Sequence, residues 1–198
     1  MVVRQTTDLR RIVNEFSKFA RMPEPQTAAL SLRDVLREAA VLQESGQPDV
    51  RFELDLTEAP LRADIDAAMI GQALTNLIKN AGEAIESLRE AGAPEGHAPV
   101  IRIESAGEGD WAVIRISDNG IGLPDDRGRL FEPYVTTRDK GTGLGLPIVK
   151  KIIEEHGGTL VLEDAEPFAT GADRGGCAVV RLPLLAVQIA ETRTEKAV

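Results

Sequence analysis

Between Asp118 and Gly158 the chain reads DNGIGLPDDRGRLFEPYVTTRDKGTGLGLPIVKKIIEEHGG, and this stretch constrains the fold more than any other. Two glycine clusters, Gly120/Gly122 and Gly141/Gly143/Gly145, bracket a polar segment holding Arg138 and Lys140. The second cluster opens directly into a helical pattern. Glycine lets a backbone approach a ligand closely, and the first turn of a helix presents unpaired N–H groups to anions. A nucleotide phosphate site is the first expectation. The rest of the chain must then supply a metal ligand and a contact for the base.

A length of 198 residues fits one domain, or one domain with an appendage, and suffices for a sizeable core. The net charge of −9 argues against a nucleic-acid partner, since no basic excess exists to displace counterions. The single cysteine, Cys177, excludes an intrachain disulfide framework and fits a reducing compartment. No apolar run approaches the roughly 20 residues that cross a bilayer, and no signal peptide is recognisable. The expectation is a cytoplasmic chain without membrane contact of its own, cut from a membrane-anchored parent.

Residues 4–21 carry Leu9, Ile12, Val13, Phe16, Phe19 and Ala20 at helical spacing. A lone helix of this length is marginal in water, so its apolar face needs a partner. It reads either as a separate helix or as the first helix of the main domain. Pro23 and Pro25 stop it and read as a linker over 23–30. Ser31 with Asp34 predicts a capped helix carrying Leu32, Val35, Leu36, Ala39 and Leu42, ending near Gly46 and Pro48. The alternation from Val50 to Leu56 predicts a half-buried strand. Asp64 is the expected cap of a long helix through Ile70, Leu74, Leu77, Ile78 and Ile85. After a loop over 91–99, Val100–Ser105 and Trp111–Ser117 alternate as an antiparallel pair. A helix is expected from about Thr142 to His156, stopped by Gly157 and Gly158. Two last strands are expected at Thr159–Glu163 and Cys177–Leu182, and the tail after Leu184 is weakly patterned. Antiparallel strand pairs with helices between them predict an α+β fold, a two-layer α/β sandwich whose mixed sheet carries a helical layer on one face.

Three constellations can carry chemistry. Asn76 and Asn80 sit four residues apart, hence on one helix face, although asparagine is a mediocre helix former. An amide oxygen suits Mg²⁺, which takes other oxygens from phosphates and water. A solvated face, or amides bonded to nearby backbone, explains the pair equally. Asp118, after the strand ending Val113-Ile114-Arg115-Ile116, can accept a hydrogen bond from an exocyclic amine and so select adenine over guanine. Asn119-Gly120 after alternating apolar residues is also a hairpin signal. Gly141-Thr142-Gly143-Leu144-Gly145-Leu146 follows neither the Walker A nor the dinucleotide spacing. Its Leu144 and Leu146 would anchor the turn in the core while backbone N–H groups face an anion. Arg138 and Lys140 can reach phosphate or stay solvated, and Thr136 and Thr137 are weaker candidates.

In this order the residues resemble a family. Asn76–Ala84 is similar to the N box, Asp118–Gly122 to the G1 box, Phe131 with its surroundings to the F box, and Gly141–Leu146 to the G2 box. These belong to the ATP-binding catalytic domain of sensor histidine kinases, in the superfamily that includes gyrase, Hsp90 and MutL. The resemblance covers roughly residues 30–184. LFEPYVTTRDKGTGLGLPIVKKIIEEHGG is especially similar to nitrogen-regulation kinases of the NtrY type, and RRIVNEFSKFARMPEP resembles the second helix of their dimerisation domain.

The resemblance implies a left-handed βαβ sandwich of the histidine-kinase ATPase (Bergerat) type, with ATP and Mg²⁺ under a lid at about residues 123–140. It implies the second dimerisation helix at 1–22, a linker at 23–30, the catalytic domain at 31–184 and a tail at 185–198. Asn80 would coordinate Mg²⁺, with Asn76 beside it near the phosphates, and Asp118 would bind the adenine amine. Gly120 and Gly122 would shape the adenine end, and Phe131 the lid's hydrophobic hinge. Gly141, Thr142, Gly143, Leu144, Gly145 and Leu146 would bound the phosphate side, with Thr137 nearby and Arg138 or Lys140 reaching the γ-phosphate. The partners implied are a histidine-bearing dimerisation helix, an NtrX-like response regulator, and a second copy through the N-terminal helix. Glu83, one turn beyond Asn80, is left as a supporting or surface residue.

Two departures stand out. Related domains often carry a hydroxyl residue near the adenine on the final strand, where this chain offers Cys177. The phosphoacceptor histidine is also missing: His97 reads as a solvated loop residue, and His156 as a structural residue whose cationic form the helix C-terminus favours. The competing functions are a gyrase- or Hsp90-like ATPase, an anti-sigma-type serine kinase and a non-catalytic nucleotide sensor. The ATPases use a glutamate where this chain has Asn76, and an amide cannot take a proton from water.

Overall fold

The computed structural model describes residues 23–135, 143–168 and 175–186. The expected N-terminal helix, and Thr136, Thr137, Arg138, Lys140, Gly141 and Thr142, lie outside the described residues. The elements run β1 (Ala28–Ser31), α1 (Leu32–Gly46), β2 (Arg51–Leu56), β3 (Arg62–Ile65), α2 (Ala67–Glu90), β4 (Val100–Glu108), β5 (Trp111–Asp118), a 3-10 turn (Gly128–Phe131), α3 (Gly145–Glu155), β6 (Thr159–Asp164) and β7 (Gly176–Pro183).

Five strands form one mixed sheet in the order β2-β4-β5-β7-β6, and β1 pairs separately with β3. β2 and β4 are parallel, which requires the crossover that β3 and α2 provide. The other neighbours are antiparallel, with Ile116 opposite both Ile103 and Ala178. This register places Ile101, Ile103, Ala112, Ile114, Ile116, Ala178, Val180 and Leu182 in the same core cluster as the helix residues. α2 packs between α1 and α3 and lies over β5. The architecture is the expected α+β sandwich, with helices layered on one face of the sheet.

The opposite face is built differently. Val113, Cys177 and Val179 form a small second cluster with Ala165 against it. Phe168 is buried too, with the Arg102 guanidinium 4.5 Å from its ring centroid. Around them runs a row of ion pairs, Arg102–Glu53 and Arg115–Glu108 at 3.0 Å and Arg181–Glu108 at 3.6 Å. Partly exposed pairs of this kind contribute little to stability.

Local chemistry explains the helix ends. Ser31 caps α1, its side chain accepting the Asp34 N–H at 3.4 Å. The cap of α2 is Asp66 and not the expected Asp64, because Asp64 lies in β3 opposite Ala29 and alternates outward between the buried Ala63 and Ile65. Asp66 Oδ1 accepts the N–H groups of Ala68 and Met69 at 3.0 and 3.1 Å. From there Met69, Ile70, Ala73, Leu74, Leu77, Ile78, Ala81 and Ile85 bury one stripe of α2. α3 ends as expected in a Schellman turn, with Gly157 N–H on Glu154 O and Gly158 N–H on Ile153 O. No strand was expected before α1; β1 exists because β3 offers it an edge, a long-range pairing that local patterning does not announce. Among the described residues no helix is long and apolar enough to cross a membrane.

The N–H groups of Met69, Gln26 and Ala68 hold the Asp66 carboxyl below the ordinary aspartate value of 3.8. A depressed folded-state pKa means that this stabilisation is present above the unfolded pKa and is lost as pH falls through the folded one. Asp66→Ala is expected to cost about 1 kcal/mol of stability at pH 7 by urea denaturation. Asp66→Asn is expected to flatten the loss of stability below about pH 4 relative to the parent.

Candidate functional site

The site is assembled on α2. Asn76 and Asn80 both lie half-buried on its flank, about two turns and one turn before the place where the end of β5 meets the helix. There the Ile121 N–H donates to Ala84 O at 3.1 Å. A Cβ on Gly120 would overlap the Ala84 carbonyl carbon and the Ile85 amide, so only glycine admits this approach. The hairpin alternative for Asn119-Gly120 is therefore overturned: after β5 the chain docks on a helix and pairs with no returning strand.

Asp118 is buried at 6% exposure at the end of β5. Its Oδ1 accepts the Gly120 N–H at 2.9 Å, and the Gly176 N–H at the start of β7 lies 3.4 Å away. Leu123 packs in the core margin against Gly176, its Cδ2 3.4 Å from where a Cβ would sit. Asp118 is thus an oriented acceptor, ringed by backbone from β5, β7 and the turn that follows it.

Asn119 carries a role that its residue type does not advertise. It is fully buried; its Oδ1 accepts the Val100 N–H at 2.9 Å and its Nδ2 donates to Ala98 O at 2.7 Å. The expected solvated loop histidine, His97, is half-buried, with Nε2 2.9 Å from Asn119 O. Together they fasten the loop before β4 to the turn that carries Asp118.

At the other end of the site Leu144 is fully buried and Leu146 packs partly buried against the core, as their spacing suggested. α1 and α2 each have a side-chain cap, whereas among the described residues no side chain caps the N-terminus of α3, at Leu144. A Cβ on Gly145 would meet open space. Gly143 differs: at φ 67° its carbonyl accepts the Tyr134 N–H at 3.1 Å, and a Cβ there would lie 2.6 Å from the Tyr134 carbonyl carbon. Tyr134 itself sits at φ 67°, a strained region for a non-glycine residue. Phe131 closes the 3-10 turn half-buried, with Lys150 Nζ 5.1 Å from its ring centroid. Gly122 takes φ 81° in the turn after Asp118. Arg127, further along, bonds both carboxylate oxygens of Asp164 at 2.7 Å.

Two expectations are corrected here. Cys177 does not face the adenine end, because strand alternation sends it to the sheet face opposite Asp118, into contact with Val113 and Val179. Burial pushes its thiol pKa up. Ala178 faces the helical side instead. His156 keeps its structural role but as a neutral ring, since its Nε2 accepts the Asp66 N–H at 3.0 Å. The glycine pair 175–176 was missed as a site feature, although its place at the head of the last strand was a usable signal.

Among the described residues no three His, Cys, Asp or Glu side chains gather to hold a metal. The Asn76 and Asn80 side chains on α2 carry amide oxygens, a donor type that Mg²⁺ accepts alongside phosphate oxygens. Glu83 lies 3.6 Å from Lys79 on the same helix.

A buried acceptor ringed by backbone and an amide pair on a helix thus sit in one α+β sandwich. Residues 65–186 match the family model described as histidine kinase-, DNA gyrase B-, and HSP90-like ATPase, and the chain belongs to that family. It is 46% identical over 172 residues to nitrogen regulation protein NtrY of Azorhizobium caulinodans, which covers 86% of this chain and 22% of that protein. To the NtrY-like sensor histidine kinase of Rickettsia conorii it is 35% identical, over 84% of this chain and 26% of the relative. The catalytic domain of histidine kinase ThkA superposes with a TM-score of 0.66 at 29% identity, over 80% of this chain and 96% of that one. The chain thus carries the ATPase catalytic domain found in sensor histidine kinases, and it spans about a quarter of the length of these NtrY relatives.

Gly120→Ala is expected to abolish nucleotide binding and to destabilise the fold by about 1–3 kcal/mol through overpacking. Asn119→Ala is expected to cost a similar amount, about 1–3 kcal/mol, by stranding the Val100 N–H and Ala98 O. Urea denaturation with calorimetric titration reads both.

Proposed function

We propose that this chain is the ATP-binding catalytic domain of a two-component sensor histidine kinase of the NtrY type. It holds ATP and Mg²⁺ and delivers the γ-phosphoryl group to a histidine on a helix outside this chain. The observation that carries the reading is the N-terminus of α3, which no described side chain caps, set in the same domain as the backbone-ringed Asp118. Asp118 accepts a hydrogen bond from the exocyclic amine of adenine. The N–H groups around Leu144, Gly145 and Leu146 face the phosphates, and Gly141, Thr142, Gly143 and Thr137 are proposed as further contacts on the phosphate side. Asn80 offers its amide oxygen to Mg²⁺, which when bound screens the phosphate charge, and Asn76 lies next to the phosphates. Arg138 or Lys140 reaches the γ-phosphate. Catalysis by this chain is positioning and charge stabilisation, because the nucleophile arrives with the other helix.

Asn76 favours a kinase over an ATPase. Hydrolysis needs a base beside the attacking water, and an amide at that place on α2 cannot serve. Residues 1–22 would belong to the second helix of the dimerisation hairpin and 185–198 to a tail; of the expected linker 23–30, Ala28–Leu30 belong instead to β1, so the linker is shortened to 23–27. The N-terminal helix pairs with a second copy. The phosphoryl group passes from the histidine to an NtrX-like response regulator; the related ThkA has been solved in complex with the response regulator TrrA. The domain works on the cytoplasmic side of a membrane-anchored sensor.

Asp118→Ala is expected to remove ATP binding in calorimetry, and unchanged affinity would overturn the adenine assignment. Asn80→Ala is expected to abolish the Mg²⁺ dependence of binding; a persisting dependence moves the metal elsewhere. Incubated with γ-labelled ATP, this chain is expected to stay unlabelled and to label an added histidine-bearing dimerisation fragment. Steady phosphate release without labelling of the fragment would instead establish an ATPase.

A further inference from the structure

The nucleotide site spans two helices, since α2 bears Asn76 and Asn80 while α3 begins at the glycine-rich turn. These helices are joined again at their far ends by one side chain. His156 is the C-cap of α3 and is 7% exposed. Its Nδ1 lies 2.7 Å from Ile152 O, and its Nε2 lies 3.0 Å from the backbone nitrogen of Asp66, the N-cap of α2. A carbonyl only accepts and a backbone N–H only donates, so Nδ1 carries the proton and Nε2 is the acceptor. Both ring nitrogens are used, one on each helix. The same Asp66 receives the Gln26 N–H on Oδ2 at 2.9 Å, which brings the segment leading into the domain to this joint.

Asn76 lies about ten residues beyond the joint along α2, and Gly145 about eleven before it along α3, so both arms reach about 15–17 Å at 1.5 Å per residue. α2 and α3 pack against each other. A shift at His156 is therefore delivered to the N-terminus of α3 and to its distance from the asparagines. We propose that His156 is a positioning residue of the nucleotide site, setting the register of α3 along α2 and hence the spacing between the Asn76/Asn80 amides and the helix start at Leu144–Leu146. The proposal rests on the function above for its ligand, whereas the clamp itself is a property of the free protein.

The adenine end is anchored differently: the turn from Asp118 to Ile121 is seated on Ala84 of α2 and on Gly176 at the start of β7. Loosening α3 costs the phosphates their fit and spares the base. A purely structural histidine would, on removal, lower stability without separating the two ends.

The test uses His156→Phe, which keeps a ring without polar atoms, and His156→Gln, whose amide supplies an acceptor near the Nε2 position. In nucleotide-free parent protein, nitrogen-15 NMR is expected to show His156 as the Nδ1–H tautomer. Amide resonances of Asn76–Asn80 and Gly143–Leu146 are expected to move in His156→Phe, while those of Asp118–Gly120 and Gly176 stay. At a temperature where circular dichroism shows the variants folded, His156→Phe is expected to weaken ATP about three- to tenfold, the span of one net hydrogen bond, and adenosine by less than about twofold. His156→Gln is expected to return most of the ATP affinity. An Nε2–H tautomer, shifts confined to the neighbours of residue 156, or ATP and adenosine weakening together would overturn the proposal. Should the parent fail to bind ATP, the function above falls while the NMR comparison still decides the clamp. If His156→Phe does not fold, His156→Asn, whose shorter amide cannot reach both helices, takes its place in the NMR comparison and in the ATP-to-adenosine ratio.

Discussion

The structure depends on one close approach, the backbone at Gly120 lying directly on the backbone of α2 at Ala84 and Ile85. A helix carbonyl has two lone pairs, so Ala84 O can serve its own helix and still accept the Ile121 N–H. That contact converts the end of a central strand into a turn seated one helical turn from Asn80. It also orients Asp118, whose carboxylate would otherwise sit at the sheet edge without a defined direction. Any side chain at position 120 would meet the Ala84 and Ile85 backbone and lift the turn that carries Asp118 away from α2.

Around that contact the fold spends its buried polar groups at joints. Asn119 fastens the loop before β4 to the turn after β5. Asp66 caps α2 and receives the segment at Gln26. His156 links the end of α3 to the start of α2. Each is buried or half-buried with its bonds made, so losing one strands a partner in a low-dielectric interior. The charged row on the far face of the sheet is a different matter, because water screens it and competes for every pair. Local order at the site is therefore set by a few neutral or backbone-satisfied polar atoms, with the ion pairs adding solubility.

Chemistry follows from what the site holds and what it leaves to others. Among the described residues α3 begins without a side-chain cap, which suits a helix whose first N–H groups are reserved for an anion. α2 presents the Asn76 and Asn80 amides on its flank, in keeping with the proposed kinase reading, in which the nucleophile comes from another helix.

Much of this was legible in the sequence, for physical reasons that act over short distances. Four-residue spacing places Asn76 and Asn80 on one face, alternation makes β4 and β5, Ser31 caps α1, and the glycine pair 157–158 stops α3. The mixed sheet with one helical layer follows from the order of those elements. Other features were decided only when distant segments met. β1 forms because β3 offers an edge, and that pairing makes Asp64 a strand residue and leaves the cap to Asp66. The direction of Cys177 depends on the register of β7 against β5, and a one-residue difference in pairing would reverse it. Asn119 reads locally as a turn residue and becomes a buried pin once Val100 and Ala98 arrive beside it. His156 reads as a favourable cation at a helix end, until a backbone N–H from ninety residues earlier in the chain takes its lone pair and makes it a neutral link between helices.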